Sequence, residues 1–148
     1  MAGPYTVDAS VFLNAFNPTE VGHAESLRFL AQLQAEAIPM VAPTLLLPEV
    51  AAAVSRGRAN AGLARAFASA LSRLPHLMLV PLDGVLAQQA ADVAAGHRLR
   101  GRDAVYAAVA LRFGSSLVTL DREQRARAAA VLTTRRPSEI LSDWDRKS

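Results

Sequence analysis

Short runs of apolar residues alternate along the chain with longer segments whose apolar positions recur every three or four residues, so strands alternate with helices. A strand is predicted over residues 5–8, followed by a turn of helix carrying Val11, Phe12 and Phe16. Residues 20–36 place Leu27, Leu30, Ala31 and Leu33 on a helical stripe, and 38–41 read as a second strand. Residues 44–56 and 60–74 read as a helical hairpin broken at Gly57, with a third strand over 77–80. Asp83 is placed to cap a helix reaching about His97. After it come an Ala-rich helix over 101–112, a strand over 116–120 and a helix over 122–129. A last strand near 131–133 and a short helix from Pro137 complete the series. Strands this short, spaced by helices, predict an α/β domain over 1–148 with a short, mainly parallel sheet, helices on both faces and right-handed crossovers.

A chain of 148 residues, 51% of them apolar, buries enough surface to fold without a metal or disulfide staple. It has no cysteine, hence no thiol nucleophile and no thiolate zinc site, and three histidines leave little for an imidazole site. The longest apolar stretch, 37–54, contains three prolines and Glu49, which a bilayer-spanning helix would not carry, so a soluble chain is expected. The segment MAGPYTVDAS lacks a basic region followed by an apolar one, which makes the cytoplasm the expected compartment. The net charge is +3, and all cations except Lys147 are arginine, whose planar fork matches phosphate oxygens. That usage is compatible with a polyanionic partner and equally with a biased composition. It does exclude chemistry that needs an internal amine.

In a parallel sheet the ligand crevice lies at the carboxyl ends of the strands. Asp8 and Asp121 each end a predicted strand, and Asp103 falls in the first turn of a helix, where the dipole favours an anion. Any one of these could be a plain helix cap. Glu49 is more informative, since it stands among apolar residues in Leu-Leu-Leu-Pro-Glu-Val-Ala-Ala-Ala-Val, either facing inward or on a solvent edge. Four carboxylates from four elements could converge on one negatively charged site, and such a cluster suits a hard divalent cation such as Mg²⁺ or Mn²⁺. Two ions about 4 Å apart can activate water and stabilise the leaving oxygen in phosphodiester cleavage.

Val7-Asp8-Ala9-Ser10, Pro48-Glu49-Val50, Arg102-Asp103-Ala104 and Leu117-Val-Thr-Leu-Asp121 resemble, in order and spacing, the acidic motifs of PIN-domain nucleases. The single-domain size is similar to that of VapC toxins of toxin–antitoxin pairs, and the resemblance covers essentially the whole chain. It implies a PIN-like fold and a Mg²⁺- or Mn²⁺-dependent endoribonuclease with Asp8, Glu49, Asp103 and Asp121 as catalytic, metal-site carboxylates. Ser10 and Thr119 match positions whose hydroxyls support that site. The chain departs from the pattern after the last motif, where it reads Asp-Arg-Glu-Gln, so Glu123 is either a peripheral acid or a first-turn helix residue. Arg102 and Arg122 flank two of the acids as candidate contacts for RNA phosphates or as salt partners. The resemblance further implies a homodimer and a VapB-like antitoxin lying along the apolar hairpin, where Leu45, Leu46, Leu47, Val50, Leu63 and Phe67 offer large side chains.

Other classes fit less well. A phosphoacceptor domain would need a lysine near its acidic pocket, and a nucleotide binder would need clustered glycines, but the chain contains neither G-x-G nor G-K. A nucleophile elbow and a zincin motif are also missing. A non-catalytic PIN-like protein-binding module and a housekeeping RNA-processing nuclease remain open beside the toxin.

Overall fold

The computed structural model describes residues 3–147. The expected domain of 1–148 also includes Met1, Ala2 and Ser148, which lie outside them. The chain runs β1 (Tyr5–Val7), α1 (Ala9–Phe16), α2 (His23–Ala35), β2 (Met40–Pro43), α3 (Leu46–Arg58), α4 (Ala61–Ser72) and β3 (Leu77–Val80). It continues with α5 (Gly84–His97), α6 (Gly101–Phe113), β4 (Ser116–Val118), α7 (Arg122–Ala128), β5 (Thr134–Arg135) and α8 (Pro137–Lys147).

The α/β expectation holds, and every strand pairing is parallel, in the order β3-β2-β1-β4-β5. The three residues of β1 and the four of β2 are all buried, as in a sheet covered on both faces. Alternate residues of β2 divide between two cores. Met40 and Ala42 join Tyr5, Phe29, Leu33 and Trp144 on one side, and Val41 joins Leu86, Val105 and Val109 on the other. Tyr5 and Phe29 meet edge to face at 5.7 Å, and Phe29 stacks on Trp144 at 5.9 Å, which ties α8 onto the first core.

Some boundaries move from those expected. The second strand lies two residues later, because residues 37–39 carry the turn out of α2. The hairpin does not break at Gly57. Helix α3 continues through it and stops at Ala59, which takes the left-handed conformation, and the Asn60 side chain then caps α4 by accepting from the Leu63 amide at 3.0 Å. The last strand is Thr134–Arg135 rather than 131–133. Its register is set by β4, with Leu117 opposite Thr134 and Val118 opposite Arg135.

The hairpin buries more of its large side chains than the sequence suggests. Leu46 and Val50 are fully buried, while Leu45, Leu47 and Phe67 are partly buried against the same core. Phe67 lies 4.5 Å from the Phe16 ring. The exposed large apolar residues include Met78, Leu82 and Val85, near the β3 edge, and none of them is on the hairpin.

Candidate functional site

The local fold turns each of the four acids toward the carboxyl end of the sheet. Asp8 follows β1, where its amide donates to the Val118 carbonyl at 2.9 Å, and its side chain caps α1 by accepting from the Ser10 amide at 3.0 Å. Asp121 follows β4 and caps α7, accepting from the Gln124 amide at 3.0 Å. Glu49 lies in the first turn of α3 and Asp103 in the first turn of α6. Capping engages one carboxylate oxygen of Asp8 and of Asp121, and the other oxygen of each accepts from an arginine.

Arginine brings the four together. The Arg102 guanidinium donates through Nη2 to Asp8 Oδ1 at 2.6 Å, through Nε to Glu49 Oε2 and through Nη1 to Asp103 Oδ1. Arg100 bridges the remaining pair, with Nε on Asp103 Oδ2 at 2.8 Å and Nη2 on Asp121 Oδ2 at 2.7 Å. Asp8 and Asp103 are 1% and 2% exposed, so their charges require these partners. Burial alone would lower the pKa of Arg102, but hydrogen bonds and charge from Glu49 and Asp8 outweigh it and raise the value. Burial likewise works to raise Asp121, yet the Gln124 amide and Arg100 hold it below the usual carboxylate range. Both sequence candidates Arg102 and Glu49 thus belong to the cluster, with Glu49 facing inward.

A polar cradle stands behind the acids. Thr119 Oγ1 lies 3.2 Å from Asp8 Oδ2 and 2.9 Å from Gln124 Oε1, with one proton to share between them, and it accepts from the Asp121 amide at 3.1 Å. Ser10 Oγ is 3.3 Å from Thr119 Oγ1 and accepts from the Leu120 amide at 3.1 Å. The two hydroxyls lock the ends of β1 and β4 together and fix Asp8. The Tyr106 hydroxyl donates to Glu49 Oε1 at 2.8 Å, while its ring lies 5.1 Å beneath the Arg102 guanidinium. Burial, followed by the charges of Glu49 and Asp8, pushes the Tyr106 phenol well above its ordinary pKa, so it remains a donor.

Arg122 is exposed and makes no contact with the acids, and Glu123 pairs with Arg127 at 2.8 Å on the surface of α7. Arg100, Tyr106 and Gln124 were not anticipated from the sequence. For the first two a signal existed. Arg100 precedes Asp103 by three residues and Tyr106 follows Arg102 by four, spacings that share a helix face.

The donor set consists only of oxygen atoms, the chemistry that Mg²⁺ and Mn²⁺ select. Three members already share one cation, so the residues fit a hard ion in kind. Among the described residues no group of three acids or histidines stands in the spacing of a preformed ion site. The guanidinium of Arg102 sets the spacing.

A family model described as the PIN domain matches residues 5–130. No curated protein sequence matches the chain significantly. Among solved structures, the chain is similar to VapC20 of Mycobacterium tuberculosis, described as a sarcin-ricin loop cleaving toxin. The identity is 20%, the TM-score 0.71, and the match covers 88% of this chain and 97% of that one. FitAcB of Neisseria gonorrhoeae aligns at 18% identity and TM-score 0.67 over 91% and 99% of the two chains. PAE2754 of Pyrobaculum aerophilum aligns at 25% identity and TM-score 0.65 over 97% of each. These are likenesses of fold.

Proposed function

We propose, for a chain that belongs to the PIN domain family, that it is a metal-dependent endoribonuclease hydrolysing RNA phosphodiester bonds, and the toxin of a toxin–antitoxin pair. The observation that carries this reading is the convergence of Asp8, Glu49, Asp103 and Asp121 from four elements onto two shared arginines. Asp8, Glu49, Asp103 and Asp121 would hold Mg²⁺ or Mn²⁺. When bound, the metal supplies Lewis acidity and lowers the pKa of a coordinated water.

The chain's own residues prepare that chemistry. Thr119 and Ser10 hold Asp8 in one rotamer, Tyr106 anchors one oxygen of Glu49, and Arg100 orients Asp103 and Asp121. Arg102 must release the three acids it bridges before they serve as ligands. Its guanidinium would then be free to stabilise phosphate charge beside the acids.

The toxin role is supported by the fold likeness to VapC20 and to a toxin–antitoxin complex from Klebsiella pneumoniae, aligned at 16% identity. A VapB-like antitoxin, a homodimer and a cytoplasmic site of action complete this reading. The test is cleavage of labelled RNA with Mg²⁺ or Mn²⁺, with excess chelator, and with Asp103→Asn. Cleavage that survives chelation or the substitution refutes the proposal. The hold of Arg102 on three acids favours a second reading, a non-catalytic PIN-like binding module, and that reading stands if neither metal elicits cleavage from the intact protein.

A further inference from the structure

Beside the acids lies a second feature that the proposed chemistry does not use. A cleft of about 350 Å³ opens between α7 and the segment joining β5 to α8, lined by Arg122, Arg125, Ala126, Thr134, Arg136 and Glu139. Three guanidinium groups face one carboxylate there. Glu139 is already engaged, accepting from the Arg136 amide at 2.9 Å and pairing with its Nε at 3.3 Å. Arg125 donates from Nη1 to the Thr119 carbonyl at 3.0 Å and has no carboxylate partner among the described residues. Arg122 makes no ion pair among them either. Arg122, Arg125 and Arg136 line one cleft, and the carboxylate among them, Glu139, is held by Arg136. Such crowding is unfavourable on its own and becomes favourable when an anion enters.

The cleft adjoins the acid centre. Thr119 links the two, with its carbonyl on Arg125 and its hydroxyl on Asp8, and Arg122 directly follows Asp121. Four carboxylates against Arg100 and Arg102 leave the centre net negative, so it repels a polyanion. Affinity for one must come from cations alongside.

We propose that this arginine cleft is a backbone subsite that takes a phosphate of the same RNA strand, next to the one presented to the acids. The inference rests on the ribonuclease reading. It gives the strand a fixed path over α7, with Arg122 and Arg136 as the forks that grip a non-bridging oxygen pair and Arg125 as the fixed base of the cleft. Contacts of this kind position the strand without reading its sequence.

The experiment measures binding of a fluorescent single-stranded RNA by anisotropy, in chelator, over a range of salt concentrations. Wild type, Arg122→Gln, Arg136→Gln and the double variant are compared, with Arg73→Gln, at the opposite end of the sheet, as control. Each cleft variant is expected to weaken binding at low salt, and the double variant to flatten the log–log salt slope by about 0.7, the loss of one neutralised phosphate. Thermal melts verify folding, and Arg122→Gln, which removes no ion pair among the described residues, carries the test if Arg136→Gln unfolds. The inference is overturned if the cleft variants keep the wild-type affinity and slope, or if wild type binds no RNA in chelator. It is also overturned if polyglutamate competes as well as RNA, which would assign the cleft to an acidic protein segment. A wild type that cleaves RNA while the cleft variants bind unchanged sinks the subsite alone. A wild type that binds RNA through the cleft yet cleaves none with either metal sinks the ribonuclease reading alone.

Discussion

Replacing Arg102 by glutamine removes the one guanidinium that Asp8, Glu49 and Asp103 share. The side chains of Asp8 and Asp103 are 2% exposed and that of Glu49 18%, so water can compensate little of the lost pairing. Removing one partner of a buried ion pair costs about 3–5 kcal/mol. Arg102 is itself 30% exposed, so solvent already screens part of the pairing, which places the loss at the lower end, about 3 kcal/mol. At about 2–4 °C per kcal/mol for a chain of this size, the melting midpoint should fall by about 6–12 °C in chelator. A divalent cation then acts more strongly on the variant than on wild type, because it no longer has to displace the guanidinium. Manganese at about a hundred times its dissociation constant adds about 2.7 kcal/mol, enough to restore most of the midpoint. The assay is differential scanning calorimetry of both proteins with EDTA and with Mn²⁺. The reasoning fails if the variant melts within about 2 °C of wild type in EDTA, or if Mn²⁺ shifts both midpoints equally.

Asp8→Asn keeps the acceptor for the Ser10 amide but removes a charge from the centre, so RNA cleavage should disappear from a protein that still melts cooperatively; gel assay and calorimetry read the two halves. Glu49→Gln should weaken Mn²⁺ binding in isothermal titration by at least about tenfold, and unchanged affinity would remove Glu49 from the ligand set. Trp144→Ala should cost about 3–5 kcal/mol in urea unfolding, since its ring packs on Phe29 and Tyr5 in the core. The Arg136 amide, then its guanidinium, holds Glu139 below its ordinary pKa against partial desolvation. Its stabilisation is thus complete above about pH 4.3 and lost as pH falls through the lower folded value, and Glu139→Gln should abolish that part of the acid-side slope in pH-dependent melts.

The sequence shows the acids because their positions follow from strand ends and helix starts, which local patterns mark. Asp83, Asp121 and Asn60 cap their helices as short-range chemistry dictates. The partner of Asp103 was less legible. Arg102 was a candidate phosphate contact or salt partner and Arg100 drew no notice, and only the pairing of β1 with β2, with α6 packed across both, brings Asp8 near enough for Arg102 to bridge it to Glu49. Gln124, wholly buried next to Thr119, gave no signal, since a glutamine in a charged seven-residue helix reads as solvent-facing. The hairpin break was misplaced because Gly57 tolerates a helix interior at modest cost, whereas Ala59 must accept a left-handed conformation for the chain to turn. The last strand was misplaced because two residues carry no periodicity; β4 alone determines its register.

The position of β1 at the middle of the sheet has a consequence for timing. Its one edge pairs with β2, available once about forty residues exist, but its other edge waits for β4, and the Ser10–Thr119 contact joins positions 109 apart. Closing so long a loop comes late in folding, whether the chain refolds from denaturant or emerges from a ribosome. A nascent chain that has made β1, β2 and β3 therefore holds Asp8 and Glu49 without Asp103 or Asp121. Premature termination anywhere before residue 121 leaves an incomplete charge cluster and an open central strand edge, a product more apt to be degraded or to aggregate than to act.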